Sequence, residues 1–212
     1  PIAQAVLSDP GRGPLWFQLY LQHDRGFTQA LVQRAEAAGY EALVLTVDAP
    51  TSGIRDRERR AAFRLPPGIS PVNLAGLQPA PTRQLHPGQS ALFDGLLHQA
   101  PTWDDIAWLR SITRLPVLLK GVLHPADATQ AVAAGAAGVI VSNHGGRTLD
   151  TAPPTAVALP RVAQAVAGAV PVLVDGGIRR GTDVLKAMAQ GPSAVLVGRP
   201  AVHGLAHAGA AG

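Results

Sequence analysis

Short apolar runs alternate with amphipathic, Ala-rich stretches from residue 15 to the C-terminus. The runs are LWFQLY (15–20), ALVLTV (42–47), LPVLLK (115–120), GVIVSN (138–143), PVLVDG (171–176) and AVLVGR (194–199). Each is nearly uninterrupted in Val, Leu and Ile, the pattern of a strand buried on both faces. Between them lie helix signals: FTQALVQRAEAAG ends at Gly39, TWDDIAWLRSIT opens with Thr102 three residues before Asp105, and PADATQAVAAG starts with Pro125 and stops at Gly135. LPRVAQAVAG (159–168) and GTDVLKAMAQG (181–191) continue the series. A repeated strand-helix order predicts an α/β fold around six parallel strands.

Residues 49–100 break the rhythm with a Pro- and Gly-rich stretch and a run of charges. A connection this long is usually functional or mobile. It is expected to rise from the C-terminal end of the ALVLTV strand and lie over the active face, with a short helix in TSGIRDRERRAAF.

Composition narrows the chemistry. The 212 residues are 47% hydrophobic and 15% charged, enough apolar material for a core and contrary to disorder. With no cysteine, disulfides, thiolate metal sites and thiol nucleophiles are excluded. The pI of 10.3 suggests nucleic-acid binding, but all the basic residues except Lys120 and Lys186 are Arg, and a small Arg excess raises the pI steeply. Basic residues cluster only at Arg55, Arg57, Arg59, Arg60 and Arg64, interrupted by Asp56 and Glu58, which argues against a nucleic-acid partner. No apolar run approaches the roughly 18 residues of a membrane span, and no leader-like block opens the chain, so the expectation is a soluble, cytoplasmic protein.

Polar groups stand at the end of every apolar run: Gln18 and Tyr20, Thr46 and Asp48, Lys120, Ser142 and His144, Asp175, then Gly198 and Arg199. That end is where barrels and open α/β sheets bind ligands. Lys120 either meets an anion there or snorkels past the strand end. Ser142-Asn143-His144-Gly145-Gly146-Arg147 places an imidazole and a guanidinium three residues apart on a Gly-flexible loop. Histidine can take a hydroxyl proton, Arg presents a fork matched to a carboxylate, and Asp48 can orient the ring. Gly176, Gly177, Arg179 and Arg180 after one strand, and Gly198 with Arg199 after the next, have the makings of a phosphate cradle. His23, His86, His98, His124, His203 and His207 have no metal-ligand spacing, so no metal is expected. Trp103 and Trp108 recur at helical spacing and are read as packing residues.

These residues resemble the FMN-dependent α-hydroxy acid oxidases and dehydrogenases, the family of glycolate oxidase, lactate oxidase and mandelate dehydrogenase. The resemblance rests on WFQLY (16–20), LTVDAP (45–50) with Arg55 following, LPVLLKGV (115–122), VSNHGGRTLD (141–150), VDGGIRRGTDVLKA (174–187) and VGRP (197–200), in the family's order. It implies a (β/α)8 TIM-barrel domain over residues 1–212, with FMN across its C-terminal mouth. By the same resemblance, Gln18, Thr46 and Ser142 contact the flavin ring, and Lys120 lies beside it where negative charge develops. Asp175, Gly176, Gly177, Arg179, Gly198 and Arg199 hold the ribityl chain and phosphate. His144 is the base, Asp48 its charge partner, Arg147 the carboxylate clamp, Tyr20 a hydrogen bond to the reacting oxygen, and Arg55 a further cation at the mouth. The implied reaction turns an (S)-2-hydroxy acid into a 2-oxo acid, with oxygen, a quinone or a cytochrome as electron acceptor and a homo-oligomer as the common assembly.

Six strands are counted where a closed barrel has eight, so the chain is expected to be a truncated form of such an enzyme, ending where the last helix should begin. Two rivals accompany this reading: a catalytically silent remnant that depends on another chain, and a non-redox phosphate-binding barrel enzyme that needs neither Lys120 nor the His144–Arg147 pair.

Overall fold

A computed structural model describes residues 2–81, 84–97 and 100–212; His98 lies outside them. Its six strands are β1 (Trp16–Leu19), β2 (Ala42–Thr46), β3 (Val117–Val122), β4 (Gly138–Val141), β5 (Val172–Val174) and β6 (Ala194–Val195). They form one sheet in sequence order, and every neighbouring pair is parallel. Helices connect them: α1 (Ile2–Leu7) precedes the sheet, then come α2 (Arg25–Ala37), α3 (Asp56–Arg60), α4 (Trp103–Ser111), α5 (Pro125–Ala133), α6 (Thr155–Val166), α7 (Gly181–Met188) and α8 (Arg199–Ala208). The sheet is the curled half of an incomplete (β/α)8 barrel.

Strand periodicity divides the core in two. Leu43 and Leu45, Val117 and Leu119, Val139 and Val141, Val172 and Val174 face the helices, packing on Leu31, Val32, Leu109, Leu159 and Val162. The alternate residues Ala42, Val44, Leu118, Ile140 and Leu173 form a smaller inner cluster. Continued two residues toward the C-terminal ends, the inner row becomes Thr46, Lys120, Ser142 and Asp175. The inner face thus changes from apolar to polar at one level while the helix-facing row stays apolar.

Two strands depart from the two-sided burial expected of them. In β1, Trp16 and Gln18 are exposed, and β6 is two residues long and only half-buried. Both lie at the sheet's edges, each with one neighbouring strand among the described residues, so each is covered on one side.

Most helix boundaries follow the local signals. Asp24 caps α2 by accepting the Phe27 N–H at 3.0 Å. His124 is a cap, its Nδ1 accepting the Ala126 N–H at 3.2 Å ahead of Pro125. Helix α6 starts four residues before the expected Leu159 and carries Pro160 inside, because Pro153 and Pro154 stop the preceding loop. The segment after β6 is helical too: Arg199 and Pro200 begin α8. Trp108 packs against the core and under the Arg25 guanidinium, 4.8 Å from its ring centroid, whereas Trp103 is exposed rather than packed.

Helix α4 starts at a capping box, in which Asp105 accepts the Thr102 N–H at 2.8 Å and also pairs with Arg25. Burial pushes the Asp105 carboxyl up, but the Thr102 and Arg25 hydrogen bonds outweigh it and hold it below the usual carboxylate range. A lowered folded-state value stabilises above the unfolded value and is lost as pH falls through the lowered one. Asp105→Ala is therefore expected to cost about 1 kcal/mol at pH 7. In urea titrations that difference should shrink below about pH 4, where the unfolded carboxyl binds its proton.

Within residues 49–100, the described portion holds α3, a 3-10 turn at Val72–Leu74 and a π-helical turn at Ala91–Leu96, with no strand. Its start is pressed onto the loop after β4: a Cβ on Gly53 would fall 2.0 Å from the Arg147 carbonyl oxygen. No described helix is long and apolar enough to cross a membrane.

Candidate active site

The polar end of the inner row is a connected network. Gln18 Nε2 donates to Thr46 Oγ1 at 3.0 Å, and Thr46 is the register partner of Lys120. Lys120 Nζ donates to Ser142 Oγ at 3.0 Å and pairs with Asp175 Oδ2 at 3.2 Å. The lysine therefore meets an anion instead of snorkelling outward. Ser142, fully buried, also accepts the His144 N–H at 3.1 Å. Asp175 Oδ1 is buried without a partner, an unsatisfied acceptor aimed at nothing in the protein.

His144, Gly145 and Gly146 take φ of 57°, 65° and 70°, three successive residues in the left-handed region. For a histidine that conformation is uncommon and strained. The ring is held at both nitrogens: Nδ1 lies 2.8 Å from Asp48 Oδ1, and Nε2 lies 3.4 Å from the Tyr20 hydroxyl. A carboxylate at Nδ1 keeps the proton there and leaves the Nε2 lone pair available. Burial, reinforced by the Asp48 charge and opposed by Arg55, pushes the Tyr20 phenol above its ordinary value, so it remains a donor at neutral pH.

Asp48 gets its place from a β-bulge. The β3–β4 register shifts between Lys120 and Val122, leaving Gly121 as the extra residue at φ 114°. A Cβ there would fall 2.5 Å from Asp48 Cβ. If the chain carries out the FMN-dependent oxidation that the resemblance implies, Gly121→Ala is expected to push Asp48 off the His144 ring and lower its rate about 100-fold with FMN affinity unchanged. Paired flavin titration and anaerobic reduction rates check both halves; an unchanged rate would contradict it. A glycine inside an apolar strand pattern was the available signal for this bulge.

Arg147 and Arg55 do not stand free. Arg147 Nη2 donates to Glu58 Oε1 at 3.0 Å, and Arg55 Nη1 to Glu58 Oε2 at 3.3 Å. Glu58 is a site residue that the sequence reading passed over, and the Arg147 guanidinium is the main reason its carboxyl sits below the usual range.

Two cavities meet at this loop. The smaller, about 490 Å³, is lined by Tyr20, Thr46, Arg55, His144 and Arg147. The larger, about 830 Å³, is lined by Lys120, His144, Arg147, Asp175, Arg179 and Arg199 among others. Gln18 lines neither and reaches the site only through Thr46. In the larger cavity a Cβ on Gly177 or Gly198 would meet nothing within 4 Å, leaving backbone open to a ligand. Arg199 belongs to the first turn of α8 rather than to a strand end, and its Nη2 donates to the Gly145 carbonyl at 3.0 Å. Part of the expected cradle is already taken: Asp183 Oδ2 accepts the Arg179 and Arg180 N–H groups at 3.0 and 2.9 Å. What the cavity still offers is the Arg179 guanidinium, the remaining N–H groups of Arg199, bare glycine backbone, the Lys120 ammonium and an orphaned carboxylate oxygen. That set suits a ligand carrying a phosphate, hydroxyl donors and a polar ring edge. Among the described residues no three His, Asp or Glu side chains gather as a metal site.

A family model described as FMN-dependent dehydrogenase matches residues 2–212. L-lactate oxidase of Roseobacter sp. (strain GAI101) is 56% identical over 200 residues, which are 94% of this chain and 54% of that protein. Glycolate oxidase 3 of Arabidopsis thaliana is 48% identical over 207 residues, 97% of this chain and 56% of that one. Among solved structures, a mandelate oxidase variant with a C4a-OH-FMN adduct superposes with a TM-score of 0.79 at 47% identity, covering 93% of this chain and 53% of that one. The chain spans about half the length of the curated relatives it matches.

Proposed function

Because the chain belongs to the family of FMN-dependent dehydrogenases, we propose that it forms, as one domain over residues 1–212, the catalytic part of an enzyme that oxidises an (S)-2-hydroxy acid to the 2-oxo acid. The observation that carries this reading is the chain of contacts from Asp48 through His144 to Tyr20, at the wall shared by two cavities.

FMN, when bound, supplies the two-electron acceptor for that oxidation. Gly176, Gly177, Arg179, Gly198 and Arg199 would hold its phosphate end, Asp175 would accept from its hydroxyls, and Lys120 would stand beside its ring, fixed from behind by Ser142, with Thr46 and Gln18 linked at the next strand ends. The substrate lies in the smaller cavity with its carboxylate toward Arg147 and Arg55. His144 Nε2 takes the hydroxyl proton as the carbinol becomes a carbonyl, and Tyr20 donates a hydrogen bond to the same oxygen. Asp48 keeps Nδ1 protonated before the transfer and stabilises the imidazolium after it. Dioxygen is the final electron acceptor, which the names of the oxidase relatives support. A non-redox phosphate barrel explains neither the His144–Asp48 pair nor the family match.

The test is a visible-spectrum titration of the chain with FMN, followed by anaerobic lactate, glycolate and mandelate. A bound-flavin spectrum that bleaches with at least one acid is expected. A chain that retains no FMN, or binds it and is bleached by none, overturns the reading.

A further inference from the structure

Both cations assigned to the substrate carboxylate are already held by a carboxylate of the protein itself. Glu58 divides its two oxygens between guanidiniums from different parts of the chain: Oε1 to Arg147 in the loop after β4, and Oε2 to Arg55 at the start of α3. An incoming carboxylate between the same two arginines would make the same pair of bonds. Little else holds Glu58. Helix α3 has no buried residue, and the three side chains of this cluster are between 39% and 49% exposed. The backbone contact at Gly53 brings α3 alongside the loop, but charge alone joins Glu58 to the arginines. Exposed ion pairs of this kind contribute little and exchange readily.

We propose that Glu58 is an internal competitor for the carboxylate seat, a specificity-determining residue that substrate displaces on entry. The inference rests on Arg147 and Arg55 being that seat. In the ligand-free state Glu58 pairs both arginines and shuts out stray anions. When a 2-hydroxy acid arrives, its carboxylate takes over the two guanidiniums while its hydroxyl is anchored at His144 and Tyr20. Glu58 has no second anchor and yields. On the return path the same side chain competes with the product carboxylate and assists its departure. A neutral 2-hydroxy amide brings no charge to exchange and gains nothing from the vacated arginines.

The full-length chain is treated with phenylglyoxal, which modifies accessible guanidiniums, and Arg147 and Arg55 are followed by mass spectrometry against increasing oxalate. Oxalate is expected to protect both arginines, and in Glu58→Gln to do so at a concentration about two- to fivefold lower. Lactamide, the neutral control, protects neither arginine in either protein. Glu58→Asp, whose arm is too short to span both guanidiniums, should fall between the two and provides a second, more conservative variant. An unchanged or raised half-protection concentration in Glu58→Gln overturns the proposal, as does an absence of oxalate protection in both proteins. A shift in protection without any flavin bleaching by lactate leaves Glu58 as the competitor and removes only the redox reading.

Discussion

Replacing His144 with Gln is expected to leave FMN binding intact and slow flavin reduction by a 2-hydroxy acid at least 1000-fold, within the range of a lost general base. The amide can still hydrogen-bond Asp48, so the loop keeps its place, but nothing at the Nε2 position can accept a hydroxyl proton. The loop carries strain at residue 144, where φ is 57°, and glycines at 145 and 146 absorb the rest of the turn. Binding and chemistry are therefore separable. Anaerobic mixing with lactate, read at the flavin band, reports the second; titration with FMN reports the first. Bleaching at the wild-type rate would remove His144 from its assigned role.

The second large effect is expected at the floor of the larger cavity. Lys120→Met removes the only ionic partner of Asp175 among the described residues, and Asp175 Oδ1 already lacks a hydrogen bond. Both side chains are less than 20% exposed, so the stranded carboxylate is poorly solvated. Breaking one side of a buried pair is costlier than replacing both. Lys120→Met is expected to cost about 2–3 kcal/mol in urea unfolding. Lys120→Met with Asp175→Leu should recover most of that loss. The same single substitution should raise the FMN dissociation constant about tenfold, through the lost charged hydrogen bond, and the double variant should not restore it. Equal stability of the single and double variants would mean that the pair is indifferent to folding.

The strands and the level of the site were legible because both rest on local pattern. Uninterrupted Val, Leu and Ile runs mark strands, and the residues that end them, Thr46, Lys120, Ser142 and Asp175, are the same inner-row positions where the face turns polar. His144 and Asp48 were recognisable by type and by their place just past two strands. Glu58 was not. It sits 89 residues from Arg147 in a run of mixed charges, and nothing local says which carboxylate reaches across. The capture of the Arg179 and Arg180 N–H groups by Asp183 was likewise hidden, since it is decided by how neighbouring turns close, whereas the bulge left one trace, a glycine inside an apolar strand pattern. Edge behaviour at β1 and β6 depends on which neighbours a strand has, which its own composition does not state.

His144 and Arg147 line both cavities, so one loop serves as a wall of each.

 A ligand on either side that stiffens or shifts this loop changes what the other side meets. Thermodynamic linkage makes that exchange symmetric: whatever factor FMN confers on substrate affinity, substrate confers on FMN affinity. A wall shared in this way couples the two cavities, so retention of a ligand in one depends on the supply of a ligand for the other.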